Sequence, residues 1–351
     1  MRIVFLAWRD TAHPQAGGSE VVIDQLASRL TERGHHVELL HGGPSGTHPY
    51  RSTRIGGNYS QYLRAPFSFF RRRRGVDVVI DVENGIPYFS PLWQRKPVVG
   101  LVHHIHTEQW RMQFPEPIAA VGRLLEGRLM PLVYRRAPFV TVSPSTTNGL
   151  ADLGIAPSHI TTIEMGLDFD PLEPAPSTEP RFIVLSRLVP HKRVELALKM
   201  WDSVRPITGG QLVIVGDGPE LDNLRSMAGA GVEFTGWVDE ERKRSELAQA
   251  WILIHPAHHE GWGTVVMEAA AASVPTLAFD VDGVRDSVAN GVTGYLATNE
   301  SDFAAQWISL TTNGSQRAQM ANAAKNRAST FTWDRAVDMF EAILQKTVRE
   351  Q

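Results

Sequence analysis

The chain has no cysteine, which excludes disulfides, thiolate metal sites and a thiol nucleophile, and fits a reducing compartment. It has no strong excess of either charge: 35 Lys and Arg stand against 38 Asp and Glu, a net charge of -3, so nothing global calls for a nucleic-acid partner. It also lacks a long hydrophobic run. The apolar start, Ile3 to Trp8, meets Arg9 and Asp10 at once, too soon for a signal peptide or a membrane span, and the chain reads as soluble and cytoplasmic. What remains is globular composition, 42% hydrophobic and 21% charged, over 351 residues. That length exceeds one core and predicts two domains.

Short Val- and Ile-rich runs alternate with helical patterns, as in parallel strands buried between helices. A first series comprises Arg2 to Ala7, His36 to Leu40, Val76 to Val82, Val98 to His103 and Phe139 to Ser143, with a helix over Ser19 to Arg33. A second comprises Phe182 to Ser186, Leu212 to Gly216, Val232 to Gly236, Trp251 to His255 and Thr276 to Asp280. Between them Asp170 to Pro180 carries four prolines and reads as a linker. The expected fold is α/β, two Rossmann-like doubly wound domains facing across a cleft. The boundaries are 1–169, a linker at 170–180, a second domain at 181–330, and a terminal helix at 331–351.

Ligands of open parallel sheets sit beyond the carboxyl ends of the strands. After the first strand come Gly17 and Gly18, which permit close backbone approach to a phosphate; a plain turn capped by Ser19 is the alternative. After the strand ending near Ser186, Arg187 and Lys192 place a planar guanidinium and a compact ammonium in one loop, suited to two adjoining phosphates. Gly216-Asp217-Gly218-Pro219 reads as turn chemistry, while Gly236 and Trp237 could hold a nucleobase. Glu260 and Glu268 stand with seven residues between them, in a segment where Gly261 and Gly263 precede a helix beginning near Thr264 and Val265. A helix start there aims amides and a positive dipole end at an anion, and the carboxylates can accept bonds from sugar hydroxyls.

The ordered set Val184 to Lys192, Leu212 to Pro219, Val232 to Trp237 and Glu260 to Glu268 resembles the donor half of retaining glycosyltransferases of family 4, with the GT-B architecture. Gly17 to Glu20, Val102-His103, Val142 to Ser145 and Met165 to Asp168 extend the resemblance over nearly the whole chain. It implies an acceptor-side first domain and a donor-binding second one. Arg187 and Lys192 would bind the donor diphosphate, Glu268 the ribose, and Glu260 the transferred sugar. The amides of Gly263 to Val265 would hold sugar and phosphate, Trp237 would border the base, Gly18 would approach the phosphates, and His103 would lie by the donor sugar. It also implies that the terminal helix, with Trp333, Ala336, Phe340 and Leu344 at helical spacing, crosses back to the first domain. Two departures stand out: Met165 replaces a frequent Asn, and His104 a frequent Asp.

The implied reaction is metal-independent retaining transfer from a nucleotide sugar to a hydroxyl acceptor, with no cofactor. A nucleotide-sugar hydrolase or epimerase, or a noncatalytic binder, are the alternatives. Asp280-Val281-Asp282 looks like a metal motif but reads as a helix N-cap before Gly283, and His103-His104-Ile105-His106 lacks a fourth ligand for zinc. Phe67, Phe69 and Phe70 before Arg71, Arg72, Arg73 and Arg74 suggest peripheral contact with an anionic membrane; a solvated helix end with inward phenylalanines is the alternative. Glu108 to Arg136 reads as one long helical stretch, with Trp110, Met112, Leu124 and Leu129 serving mainly the core.

Overall fold

A computed structural model of the chain describes residues 1–167 and 174–350, the side chains of Glu108 and Gln113 excepted. Asp168 and residues 170–173 of the expected linker lie outside the described residues. The chain divides into two units, one of Met1–Gly166 with Trp333–Gln351, the other of Leu167–Thr332.

In the first unit seven parallel strands are β1 Arg2–Arg9, β2 His36–Gly42, β3 Arg51–Gly56, β4 Val78–Glu83, β5 Val98–Val102, β6 Phe139–Thr141 and β7 Ile160–Thr162. Their spatial order is β3-β2-β1-β4-β5-β6-β7. The second unit has six: β8 Arg181–Leu185, β9 Gln211–Val215, β10 Val232–Gly236, β11 Ile252–His255, β12 Thr276–Phe279 and β13 Gly294–Ala297, ordered β10-β9-β8-β11-β12-β13. Both are doubly wound. The winding reverses between β1 and β4 and between β8 and β11, where such sheets leave a crevice at their carboxyl ends.

Alternation along the strands builds a core on each face of the second sheet. Phe182, Val184, Leu212 and Ile214 pack with Trp201 and Trp307 on one side. Ile183, Leu185, Val213 and Val215 pack with Leu247, Val266 and Ala269 on the other. In the first unit the terminal helix Trp333–Arg349 buries Trp333, Ala336, Val337, Phe340 and Leu344, a stripe at helical spacing. Phe340 stacks 6.4 Å from Phe5 of β1, and Glu341 binds Arg33 at 2.9 Å and His35 at 3.1 Å. The last turns of the chain therefore complete the layer over the first sheet.

Three strands are absent from the sequence reading, β3, β7 and β13, and each is an edge strand. An edge strand has one neighbour and tolerates polar residues, so Arg51-Ser-Thr-Arg-Ile-Gly56 carries no apolar run. The stretch from Glu108 to Arg136 is not one helix. It forms helices Thr107–Gln113, Glu116–Leu124 and Met130–Val133, with a π-helical turn at Leu125–Leu129, and Pro115 interrupts the first junction with extended backbone. Trp110 serves the core, but Met112, Leu124 and Leu129 are exposed. Beyond residue 173 the expected linker is pinned to the second unit: the amides of Ala175 and Ser177 donate to the carbonyls of Ala248 and Gln249, each at 3.1 Å.

Candidate functional site

The loops after β8 and β11 flank the reversal point of the second sheet and carry Arg187, Lys192 and Glu260. Their path depends on close backbone contacts. A Cβ on Gly216 would lie 1.9 Å from the Ser186 carbonyl oxygen, and the Leu188 amide donates to the Asp217 carbonyl at 2.9 Å. Gly216 to Pro219 is thus more than a turn; it supports the Arg187 loop. Likewise Gly283, at φ 77°, leaves room for the Glu260 carbonyl oxygen, which a Cβ would approach to 2.3 Å.

On this scaffold the Lys192 ammonium donates to the Glu260 carboxylate, and His255 Nε2 lies 3.2 Å from the same oxygen. Burial alone would raise the Glu260 carboxyl, but the Lys192 ammonium and the His255 ring outweigh it and hold the group well below the usual range. Glu260 is therefore an ionised carboxylate at neutral pH. His191, beside it, is pushed down to about 4 by burial and then by Lys192, and is neutral. Arg187 is exposed.

Gly263, at φ 76°, is the N-cap of helix Thr264–Ala271, so the amides of Thr264 and Val265 fall in the first turn, where helical N–H groups have no partner within the helix. One turn on, Glu268 binds Lys243 at 2.8 Å, and Lys243 also binds Glu240 at 2.8 Å. Burial raises the Glu268 carboxyl above its ordinary value against the pull of Lys243. The two glutamates thus hold different lysines and do not share one. Gly236 accepts a bond from the Gly216 amide at 2.9 Å, which ties the β10 loop to the same rim and leaves Trp237 76% exposed.

In the first unit the helix Gly18–Glu32 has Gly17, not Ser19, as its N-cap. The Gly17 amide donates to the Glu20 carboxylate at 2.8 Å and so faces an anion of its own helix. His103 follows β5 and is buried; burial, then His106, pushes it down to about 4. Phe69 is buried as an inward phenylalanine, whereas Phe67 and Phe70 are 75% and 60% exposed. Arg72 binds Glu38 at 2.8 Å, and Arg73 lies over the Phe70 ring at 3.8 Å.

Asp280 and Asp282 are not helix caps: they bind Arg285 at 2.9 and 3.0 Å, and Gly283 caps the next helix. Among the described residues no group of three or more His, Asp or Glu side chains could hold a metal ion, and no helix is long and apolar enough to cross a membrane. Sequence reasoning missed Lys243, one charge among several in Glu240 to Glu246 with no spacing to single it out. It also passed over His255 and Glu83, both buried last residues of central strands, where position alone was a usable signal.

Two family profiles cover most of the chain. That described as Glycosyltransferase Family 4 matches residues 16–171, and that described as Glycosyl transferases group 1 matches residues 169–327. The D-inositol 3-phosphate glycosyltransferase of Stackebrandtia nassauensis is 25% identical over 378 residues, covering 92% of this chain and 85% of that protein. The phosphatidylinositol N-acetylglucosaminyltransferase gpi3 subunit of Schizosaccharomyces pombe is 25% identical over 343 residues, covering 87% of this chain and 72% of that protein. Among solved structures, sucrose-phosphate synthase from Thermosynechococcus elongatus superposes with a TM-score of 0.83 at 17% identity, covering 100% of both chains, and shows the GT-B fold. The chain is a glycosyltransferase and belongs to family 4 of these enzymes.

Proposed function

We propose that this enzyme transfers a glycosyl group, with retention and without a metal ion, from a nucleoside diphosphate sugar to a hydroxyl acceptor. The observation that carries the reading is the ionised, largely buried Glu260 held by Lys192 beside a helix start, at the reversal point of the second sheet. When a donor binds, Lys192 turns from Glu260 to the diphosphate, and Glu260 accepts bonds from the sugar hydroxyls. Arg187 and the Gly263 to Val265 amides complete the diphosphate cradle, Glu268 takes the ribose, and the exposed ring of Trp237 stacks on the base.

As the C1–O bond to the diphosphate breaks, negative charge grows on the leaving oxygens, and fixed cations and amides stabilise that state more than the ground state. The acceptor oxygen bonds to C1 on the same face, and its proton passes to the departing phosphate. Lys192, Arg187 and the helix end supply the positive charge that a divalent ion supplies in other designs. A thermal-shift panel of nucleotides and nucleotide sugars tests this, because a ligand of the folded state raises its stability. One nucleoside diphosphate should stabilise the protein, chelator should leave the response unchanged, and Arg187→Ala should weaken it by about 10- to 100-fold in Kd. A response lost on chelation would remove the metal-free mechanism.

The acceptor we infer is membrane-borne, reached from the cytoplasmic face. Support comes from the exposed Phe67 and Phe70 beside Arg71, Arg73 and Arg74, and from relatives whose names include a phosphatidylinositol substrate. The chain should sediment with anionic vesicles, and each of these arginines changed to Ala should lower the partition by about fivefold. Equal binding to neutral vesicles would exclude this contact.

A further inference from the structure

The amino ends of β1, β2 and β3 open on a cleft of about 710 Å³, at the edge of the first sheet opposite to the carboxyl ends where substrates of such sheets sit. Arg2, His36 and Arg51 are the first residues of those strands, and Arg71, Arg72 and Arg74 line the same cleft from the segment before β4. At about 3.3 Å per residue, β1 alone sets its two ends roughly 23 Å apart. The cleft is thus a separate place from any site at the carboxyl edge, and its volume lies in the range of small-ligand sites.

Its charge is one-sided. Five arginines line it against a single carboxylate, Glu38. That carboxylate is already committed: the Thr53 hydroxyl donates to it at 2.9 Å and Arg72 Nε at 2.8 Å, with Arg51 Nε at 3.4 Å. Asp24, Asp77 and Glu341 bond other lining groups, the Tyr50 hydroxyl at 2.7 Å, the Arg2 amide at 2.7 Å and the His35 ring at 3.1 Å. Arg71 and Arg74 carry no side-chain hydrogen bond or ion pair among the described residues, and both are exposed.

The backbone is shaped around this charge. Arg2 Nη1 donates to the Arg74 carbonyl at 3.2 Å, and Gly75 turns at φ 81° where a Cβ would come within 2.8 Å of that nitrogen. The Arg2 guanidinium is therefore packed against the 71–75 segment. Arg73 does not line the cleft; it lies over the Phe70 ring at 3.8 Å. Guanidiniums brought together with too few counter-ions repel, which an anion relieves, and their planar forks match phosphate oxygens in pairs.

We propose that this cleft binds a multiply charged phosphate group, held by Arg2, Arg51, Arg71 and Arg74 and remote from the transfer chemistry. The group is the phosphomonoester headgroup of a lipid or a free phosphate compound, since both present the same oxygens to the arginines. Because Glu38 already satisfies part of the positive charge, a singly charged anion gains little there and a multiply charged one is preferred. The site does not rest on the transfer reaction proposed above.

The test titrates the full chain calorimetrically with inorganic tripolyphosphate, with a nucleoside diphosphate present to occupy the donor loops, and with acetate as the singly charged control. Tripolyphosphate should bind and acetate should not. Arg51→Ala combined with Arg74→Ala should weaken tripolyphosphate at least about tenfold while keeping or raising the unfolding midpoint, because both side chains are exposed and repel their neighbours. Glu38→Gln, which removes the cleft's own anion and no cation, should tighten it by about threefold and keeps the test open if the double variant misfolds. Arg73→Ala, and Arg187→Ala without nucleotide, should each leave the affinity within about twofold, since neither charge lines the cleft. Phosphatidylcholine vesicles separate the two sources. A lipid headgroup predicts sedimentation with vesicles carrying phosphatidic acid over those carrying phosphatidylglycerol at matched charge, a preference competed by tripolyphosphate and lost in the double variant; a free phosphate compound predicts tripolyphosphate binding without that preference. No tripolyphosphate bound by the parent, an affinity unchanged in both the double variant and Glu38→Gln, or an equal loss in Arg73→Ala would overturn the proposal. None of these readouts involves sugar transfer, so such a failure would leave the transfer reading standing.

Discussion

At the carboxyl edge of the second sheet, Glu260 and Glu268 each hold a lysine; at that of the first, Glu83 Oε1 and both His103 nitrogens have no partner among the described residues. The topology is the same and the strand positions correspond, since Glu83 and His255 each end the strand that follows the reversal. The difference lies in charge. Buried ions must be paired, so a site for a charged ligand carries its own counter-ions and exchanges them on binding. A buried acid whose carboxyl is raised well above its usual range can leave an oxygen unpartnered at lower cost.

The largest expected effect breaks the paired side. Lys192→Ala removes the ammonium that stabilises the leaving diphosphate and strands the Glu260 carboxylate in a largely buried position. Turnover of the nucleotide sugar should fall by about 10²- to 10³-fold, as when one preplaced donor is removed from an oxyanion site. A change in kcat below threefold would put the diphosphate elsewhere and dissolve the contrast between the units.

The sequence made the donor loops legible because their residues are constrained twice, by backbone geometry and by charge. Gly216, Gly263 and Gly283 mark places where a side chain would collide or where the backbone turns left-handed, and the charged residues sit at fixed offsets from strand ends. The central strands were equally plain, since burial on both faces demands apolar runs. Edge strands β3, β7 and β13 lacked that demand and escaped notice. Side-chain pairing was not legible: nothing in Glu240 to Glu246 says that Lys243, rather than Arg242 or Arg244, reaches Glu268. Its place at a strand end marked Glu83, but the state of its carboxyl was not legible, for a related reason. Its significance is that Oε1 goes unmatched while Asp81 and Glu126 are saturated, which only three-dimensional neighbours can show.

A smaller effect sharpens the comparison, because the two glutamates are displaced in opposite directions and so contribute to stability with opposite dependence on pH. Glu260 is lowered in the fold: its contribution is present above the unfolded value near 4.5 and is lost as pH falls toward the depressed one. The parent should therefore gain on Glu260→Gln as pH rises from 4 and then hold a constant margin. Glu83 is raised: its contribution is complete below that unfolded value and is lost as pH rises toward the elevated one. Glu83→Gln should thus match the parent near pH 4 and gain on it toward pH 7. Unfolding midpoints between pH 4 and 7 report both, at about 2–4 °C for each kcal/mol in units of this size. Parallel curves for the two variants would mean that Glu83 is ionised and partnered in solution, as Glu260 is.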